Sequence, residues 1–402
     1  MPRFHPTDLF LSLILAGYFF GVTAFYIMGL SWINPFLGTV LLIFSLGFAL
    51  TGQGRMSLSC WMFVLLLTCF VLFLWMDVLL RSGDEQRLVM AATYQLGALV
   101  FTATAAHRIS PRVFLGIALG GLAVLSPLAL GSPAQDMTEA LRSYTLYADA
   151  ANVLAAMLPV LGGVLLWLAD DALQRSRKIL SGVYVGLVLL VLFCILMIGA
   201  RQSLLAFLPW LTMLYFLGRR KWLGMGFIGL AAAFAVLAYL DYADFVLQRW
   251  QGFLALLDLA SETGEKSVPI RVMLIIHGST AWLDAPVLGH GIRSFRELAG
   301  FDAYAHNNYI EMLFGMGLSG FLLFHIPVFW ALIKGCRQAA SKTQQARWGA
   351  LMFGSAGYIL VQGMFIETFA RHVVWVCLML IIYSWRRLET PPAAAVKPEP
   401  QG

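Results

Sequence analysis

Charge is scarce in this sequence. Asp, Glu, Lys and Arg make up 12% of its 402 residues, where a soluble domain carries about 25%. A soluble enzyme is therefore excluded. Cysteine is scarce as well, with five in all. Cys69, Cys194 and Cys377 fall inside apolar runs and Cys60 and Cys336 at the ends of such runs. No pair has metal-ligand spacing and no loop offers a disulfide. Familiar catalytic signatures are missing too. There is no HExxH, no DxD and no acidic cluster in the longer loops, so the sequence gives metal catalysis no support. No G-x-S-x-G supplies a nucleophilic serine, and no Gly-rich loop resembles a nucleotide site. The net charge of +6 is spread over short loops, which excludes nucleic acid as a partner. Nor is there a solenoid repeat, or a pair of Gly/Pro-broken runs in matching halves of the kind that marks a transporter.

What the sequence has is apolar length. Hydrophobic residues make up 60% of the chain, in continuous blocks of about 17–25, enough to cross a bilayer as helix. Continuous runs, not alternating ones, exclude a barrel. The expected fold is all-α: a polytopic integral membrane bundle of about twelve transmembrane helices with a helical outer loop. Spans are expected at 9–30, 33–50, 59–80, 88–106, 113–131, 152–169, 179–199, 203–218, 222–240, 308–333, 348–366 and 372–385. The first run is too long for a signal-peptide core and reads as a retained span.

Charge sets the orientation. With the N-terminus in the cytoplasm, 17 of the 27 basic residues lie inside, as the positive-inside rule requires. The long loop, 241–307, then faces out. Its first part, "DYADFVLQRWQGFLALLDLA", has the spacing of an interfacial helix. "IRVMLIIHGSTAWL" reads as a second helix and "DAPVLGHGIRSF" as a Pro/Gly-rich connection. "ADD" at 169–171 reads as a solvated inner loop. One membrane domain, 1–387, precedes a Pro- and Ala-rich tail, 388–402, expected to be disordered in the cytoplasm.

Polar groups collect at the outward edge. Arg201 follows a span directly, Arg271 heads the second loop helix, Arg293 follows "GHGI", and His306 and Asn307 precede the tenth span. Each has a plain reading. Arginines at a membrane edge snorkel to head groups, His306 can start a helix, and Glu311 can pair with an arginine or with Asn307. His290 reads as a turn residue. Taken together, forked guanidiniums suit pyrophosphate oxygens, and a histidine suits proton transfer near neutral pH. That set fits transfer of a group from a lipid pyrophosphate.

The C-terminal half resembles the O-antigen ligase/polymerase superfamily of bacterial envelope glycan enzymes. "ARQSLLAF" resembles the family's "SRG-x-L-x-A", with Ala200 and Gln202 departing from it. "IRVMLIIHGSTAWLDAPVLGHGIRSF" resembles "R-x-x-x-W…P-x-x-G-x-G-x-x-x-F" through Arg271, Pro286, Gly289, Gly291 and Phe295, with Ile275 where Trp is common. "HNNYIEMLFGMGLSG" fits the ligase pattern H-[NSQ]-x9-G-x2-[GTY] through His306, Asn307, Gly317 and Gly320. The resemblance covers about 180–330. It implies a ligase that moves glycan from undecaprenyl pyrophosphate to lipid A–core oligosaccharide, in the bacterial inner membrane with its site facing the periplasm. It further implies that Arg201, Arg271, Arg293 and Asn307 bind substrate, that His306 acts on the acceptor proton, and that no cofactor or metal takes part. Gly317 and Gly320 are expected to let the tenth span pack closely on a neighbour. An O-antigen polymerase or a protein O-oligosaccharyltransferase of the same superfamily stays open, as does a lipid-linked sugar transporter.

Overall fold

A computed structural model describes residues 18, 33–50, 56–81, 86–106, 108–109, 145–198, 201–218, 267–295, 305, 307–341, 343, 345–365, 369 and 371–389. Every regular element among them is a helix. In chain order they are α1 (Ile33–Leu50), α2 (Leu58–Arg81), α3 (Gln86–Ala105), α4 (Thr145–Gln174), α5 (Lys178–Ile198), α6 (Arg201–Phe216), α7 (Ser267–Trp282), α8 (Asn308–Ala339), α9 (Ala346–Gly363) and α10 (His372–Glu389). All but α7 fall on an expected span. The expected spans 9–30 (Tyr18 apart), 113–131 and 222–240 and the interfacial helix at 241–260 lie outside the described residues.

Five stretches are long and apolar enough to cross a membrane by themselves: Leu58–Arg81, Leu88–Ala105, Ala156–Gln174, Lys178–Leu196 and Asn308–Ala339. The expected count of about twelve is thus not reached among the described residues. The shortfall has a physical side. α9 and α10 are interior helices, with Val373 to Trp385 buried without interruption. Helices enclosed by other helices can carry glycines and polar groups that a lipid-facing helix cannot.

Aromatic side chains fill the centre. Phe63 of α2 and Trp330 of α8 flank Trp385 of α10, with centroids 5.6 and 5.1 Å away. Trp167 of α4, Trp348 of α9 and Tyr383 of α10 form a second row. Trp210 of α6 lies between Gly163 of α4 and Gly354 of α9, where any Cβ would overlap its indole.

One end of the bundle is tied by charge. Asp171 pairs with Arg175 at 2.9 Å and with Arg347. Glu389 accepts from Arg386 at 3.0 Å and from the Ser57 hydroxyl. Arg387 donates to the Ile109 carbonyl at 2.5 Å and to the Tyr383 hydroxyl at 3.0 Å. "ADD" is therefore no loop. It closes α4, with Asp170 fully buried and bonded by Gln174 at 2.6 Å. α10 likewise runs to Glu389, two residues into the segment expected as tail.

Candidate functional site

The opposite end is built around a break in α8. Gly317 has φ 61° and ψ −168°, a conformation open essentially to glycine alone. In a continuous helix the amides of Leu318 and Ser319 would donate to the carbonyls of Phe314 and Gly315. Here the loop 286–291 takes both sides of that ladder. Leu318 donates to Pro286 at 2.8 Å and Ser319 to Val287 at 3.1 Å. Phe314 and Gly315 instead accept from His290 and Gly291, each at 2.8 Å. The loop thus satisfies four backbone groups that the break would leave unpaired.

The break reverses the chain. Sixteen helical steps separate residues 309 and 325, about 24 Å in a straight helix. Yet the rings of Tyr309 and His325 stack with centroids 5.1 Å apart, and Tyr309 lies 6.3 Å from Phe321. A short arm, 308–316, therefore folds back beside a long arm, 318–339. Other contacts fix the same geometry. Tyr309 donates to the Leu360 carbonyl at 2.6 Å. Asn308 accepts from the Phe369 amide at 3.2 Å, and the Phe369 ring meets Phe70 in the middle of α2. The expected uninterrupted span at 308–333 is corrected accordingly. Its first nine residues return from inside the bundle to the rim, and the long arm then makes the crossing.

Gly317 and Gly320 also divide their work. A Cβ on Gly317 would overlap the Val287 carbonyl, and one on Gly289 would lie 2.5 Å from the Gly315 carbonyl. These glycines admit the loop, not a neighbouring span. Gly320 does face a neighbour, with Phe73 of α2 beside it.

The arm starts with polar residues. Asn307 is its cap: its side-chain oxygen accepts from the amides of Tyr309 at 3.0 Å and Ile310 at 3.2 Å. Glu311 is 2% exposed, and its Oε2 accepts from the Ala305 amide at 2.9 Å. The carboxylate therefore fixes the backbone immediately before His306. His306 itself lies outside the described residues.

Two further elements dock here. α7 packs on the arm through a small core of Leu274, Phe295, Ala305 and Phe314, joined by Ala281 and Ile310. It carries Arg271 three residues before Leu274, at its fifth position rather than its head. The loop after α7 carries Arg293, half-buried and held at φ 59°. That left-handed conformation costs a residue with a Cβ about 1–2 kcal/mol. His290 is the expected turn residue, with Nε2 2.9 Å from the Ala281 carbonyl and its ring against Phe314. Arg201 starts α6. That helix runs antiparallel to α9, with Pro209 against Gly357, so its first residue lies toward the Gly363 end, where Gly363 meets Asn308 and Tyr309. The backbones of Arg201, Arg271, Arg293 and Asn307 thus share one end of the bundle; the side chains of Arg201 and Arg271 lie outside the described set.

Sequence reasoning missed Asp77 and Arg81, at the end of α2. Asp77 is 7% exposed. Its Oδ2 accepts from the Ile292 amide at 2.9 Å, and its Oδ1 pairs with Arg81 at 3.0 Å. Arg81 donates to the Gly289 carbonyl at 2.9 Å. A carboxylate inside an apolar run, one helical turn before an arginine, was the available signal.

Apolar helices of this length, packed with broken and polar segments gathered at one end, define a multi-pass helical membrane protein with a polar site at that end. Residues 186–325 match the family model described as O-antigen ligase. That segment supports membership of the O-antigen ligase superfamily, as the three motifs had indicated. No curated protein matches the chain.

Proposed function

We propose that the protein is an O-antigen ligase, transferring glycan from undecaprenyl pyrophosphate to a hydroxyl of lipid A–core oligosaccharide. One observation carries the reading: the matched segment, 186–325, contains Arg201, Arg271, Arg293, His306 and Asn307 together. α7 and the loop after it pack on the arm of α8, and α6 begins toward the same end of the bundle, which supports a common site.

Arg201, Arg271 and Arg293 hold the pyrophosphate and stabilise charge on the leaving group as the glycosidic C–O bond breaks. The strained backbone at Arg293 supports this role, since strain of that kind persists where a side chain must be aimed. His306 accepts the proton of the acceptor hydroxyl as its oxygen attacks the anomeric carbon. A single displacement inverts that carbon. Asn307 spends its side-chain oxygen on the arm, and its NH2 is the part offered to a sugar hydroxyl. Glu311 contributes by fixing the backbone at 305. Pyrophosphate is already a good leaving group, so the residues named suffice without ATP. The arm reaches below the rim, which suits a donor whose lipid tail stays in the bilayer. The site faces the periplasm of the bacterial inner membrane in this reading, the side on which fewer basic residues lie.

The test is transfer in vitro, with purified protein, lipid-linked donor and core lipid. Ligated product is expected from the wild type. His306→Ala should lose about 10²–10⁴ in rate while donor binding survives. Arg271→Lys should fail nearly as badly as Arg271→Ala, because a point charge loses the fork. Extension of one lipid-linked repeat by another, without core lipid, would favour the polymerase. Movement of donor without any transfer would favour a transporter.

A further inference from the structure

We propose that Asp77 and Arg81 are positioning residues that keep the short arm of α8 folded back, and so hold residues 306 and 307 where the glycan is transferred. What the arm presents rests on the functional reading above; the clamp itself stands on geometry.

Neither residue belongs to the matched segment, 186–325. Both lie on α2, far from the loop in sequence. Asp77 is buried in an apolar helix, where a lone carboxylate is costly. Both of its oxygens are used: Oδ1 by Arg81 at 3.0 Å, Oδ2 by the Ile292 amide at 2.9 Å. Arg81 in turn reaches the Gly289 carbonyl at 2.9 Å. One i,i+4 pair therefore grips both ends of the four residues 289–292. The middle of that segment feeds the break, because the amides of His290 and Gly291 occupy the carbonyls of Phe314 and Gly315.

The competing state is already written in the backbone. Leu318 with Phe314, and Ser319 with Gly315, are the natural four-residue partners of a continuous helix. When the loop withdraws, those groups find each other and the break heals. A straightened α8 would carry residue 309 from beside residue 325 to about 24 Å away. Asn307 would leave the bundle with it. The clamp sets the balance between the two states. Its chemistry is directional: the Ile292 amide needs an acceptor and the Gly289 carbonyl needs a donor. Opposite charge alone does not meet both needs.

The experiment uses full-length protein in lipid nanodiscs and three readouts. The first is bridging of Tyr309→Cys and His325→Cys by dibromobimane, located by peptide mass spectrometry. The second is hydrogen exchange of amides 314–319 in chains with native residues at 309 and 325, which covers failure of the cysteine pair to fold. The third is kcat and donor KM for transfer. Asp77→Ala and the swap Asp77→Arg/Arg81→Asp should lower bridging, speed exchange and cut kcat by roughly 10–100-fold, with a rise in donor KM alongside, because releasing Ile292 also frees Arg293. Arg81→Lys keeps a donor and should retain most of each signal. Recovery of bridging and kcat by the swap would overturn the proposal in favour of a plain ion pair. Unchanged bridging and exchange in Asp77→Ala would overturn it outright, as would losses that only track the amount of folded protein. Should no variant and no wild-type sample transfer glycan while bridging and exchange respond as stated, the functional reading fails and the clamp stands.

Discussion

The two ends of the bundle are closed by different physics. At the Glu389 end, side chains do the tying. Asp171 and Arg347 join α4 to α9, Arg387 of α10 reaches the Ile109 carbonyl beyond α3, and Glu389, paired with Arg386 in its own helix, takes the Ser57 hydroxyl ahead of α2. At the Asn307 end, backbone does it. A loop inserts its amides and carbonyls into a broken helix, and Asp77, Arg81 and Glu311 hold backbone groups rather than one another's helices. Side-chain ties tolerate local adjustment. Backbone insertion requires glycine at Gly289 and Gly317 and leaves little slack. The difference matches a division of labour: one end has only to stay shut, while the other must aim polar groups at a ligand.

The sharpest break in this comparison is Gly317→Val. A side chain there meets a forbidden backbone conformation and the Val287 carbonyl together. A cost of roughly 3 kcal/mol or more is expected. Yield of monodisperse protein on size exclusion should collapse, or the protein that survives should transfer no glycan. A variant with wild-type yield and turnover would show that the reversal at Gly317 is not needed.

Glu311 comes next. Glu311→Ala strands the buried Ala305 amide, at about 1–3 kcal/mol. Glu311→Gln keeps an acceptor oxygen. Transfer should therefore fall much further in Ala than in Gln at equal folded protein. Equal losses in both would mean that the charge, not the bond to Ala305, is what matters.

How much of this was legible beforehand follows from the same contrast. Hydropathy located the helices, since lipid demands apolar length wherever a helix crosses. Motif spacing pointed to the loop 286–291 and the start of α8, because Gly289, Gly291 and Gly317 stand in one ordered pattern with Arg271 and His306 in the chain. The reversal of α8 escaped both. Apolar composition is blind to direction, and 308–333 reads as one run whether it goes straight or doubles back. Its length, beyond the ~20 residues a crossing needs, was the one clue. The helical placement of "ADD" escaped because a charged pair near a span end reads as loop, although its partner Arg347 lies far away in sequence. Asp77 and Arg81 escaped because their partners are backbone groups of a distant loop, which no side-chain pattern can announce.

At the Glu389 end the effects should be smaller and confined to stability. Arg347→Ala removes one partner of Asp171 in a setting where both side chains are 18% exposed. A loss of about 1–3 kcal/mol is expected, seen as a lower midpoint of thermal unfolding in detergent. Turnover per folded molecule should not change, because the pair lies at the far end from α7 and the arm. A fall in turnover without a fall in stability would couple the two ends and undo the division of labour.

The smallest effect belongs to Arg175→Ala. Arg175 shares Asp171 with Arg347, yet its own side chain is 54% exposed and it lies one turn along the same chain from its partner. Water screens such a pair, and an exposed pair at this spacing contributes only about 0.3–0.5 kcal/mol. Removing it leaves Asp171 with the more buried Arg347, so the carboxylate is not stranded. The unfolding midpoint should move far less than for Arg347→Ala, and added salt should erase the remaining difference. The double variant provides the finer measurement. With both arginines gone, Asp171 keeps neither cation, and the combined loss should exceed the sum of the two single losses. Strict additivity would mean that the two arginines do not share the carboxylate's stabilisation, and the Glu389 end would then be a set of separate ties, not a network.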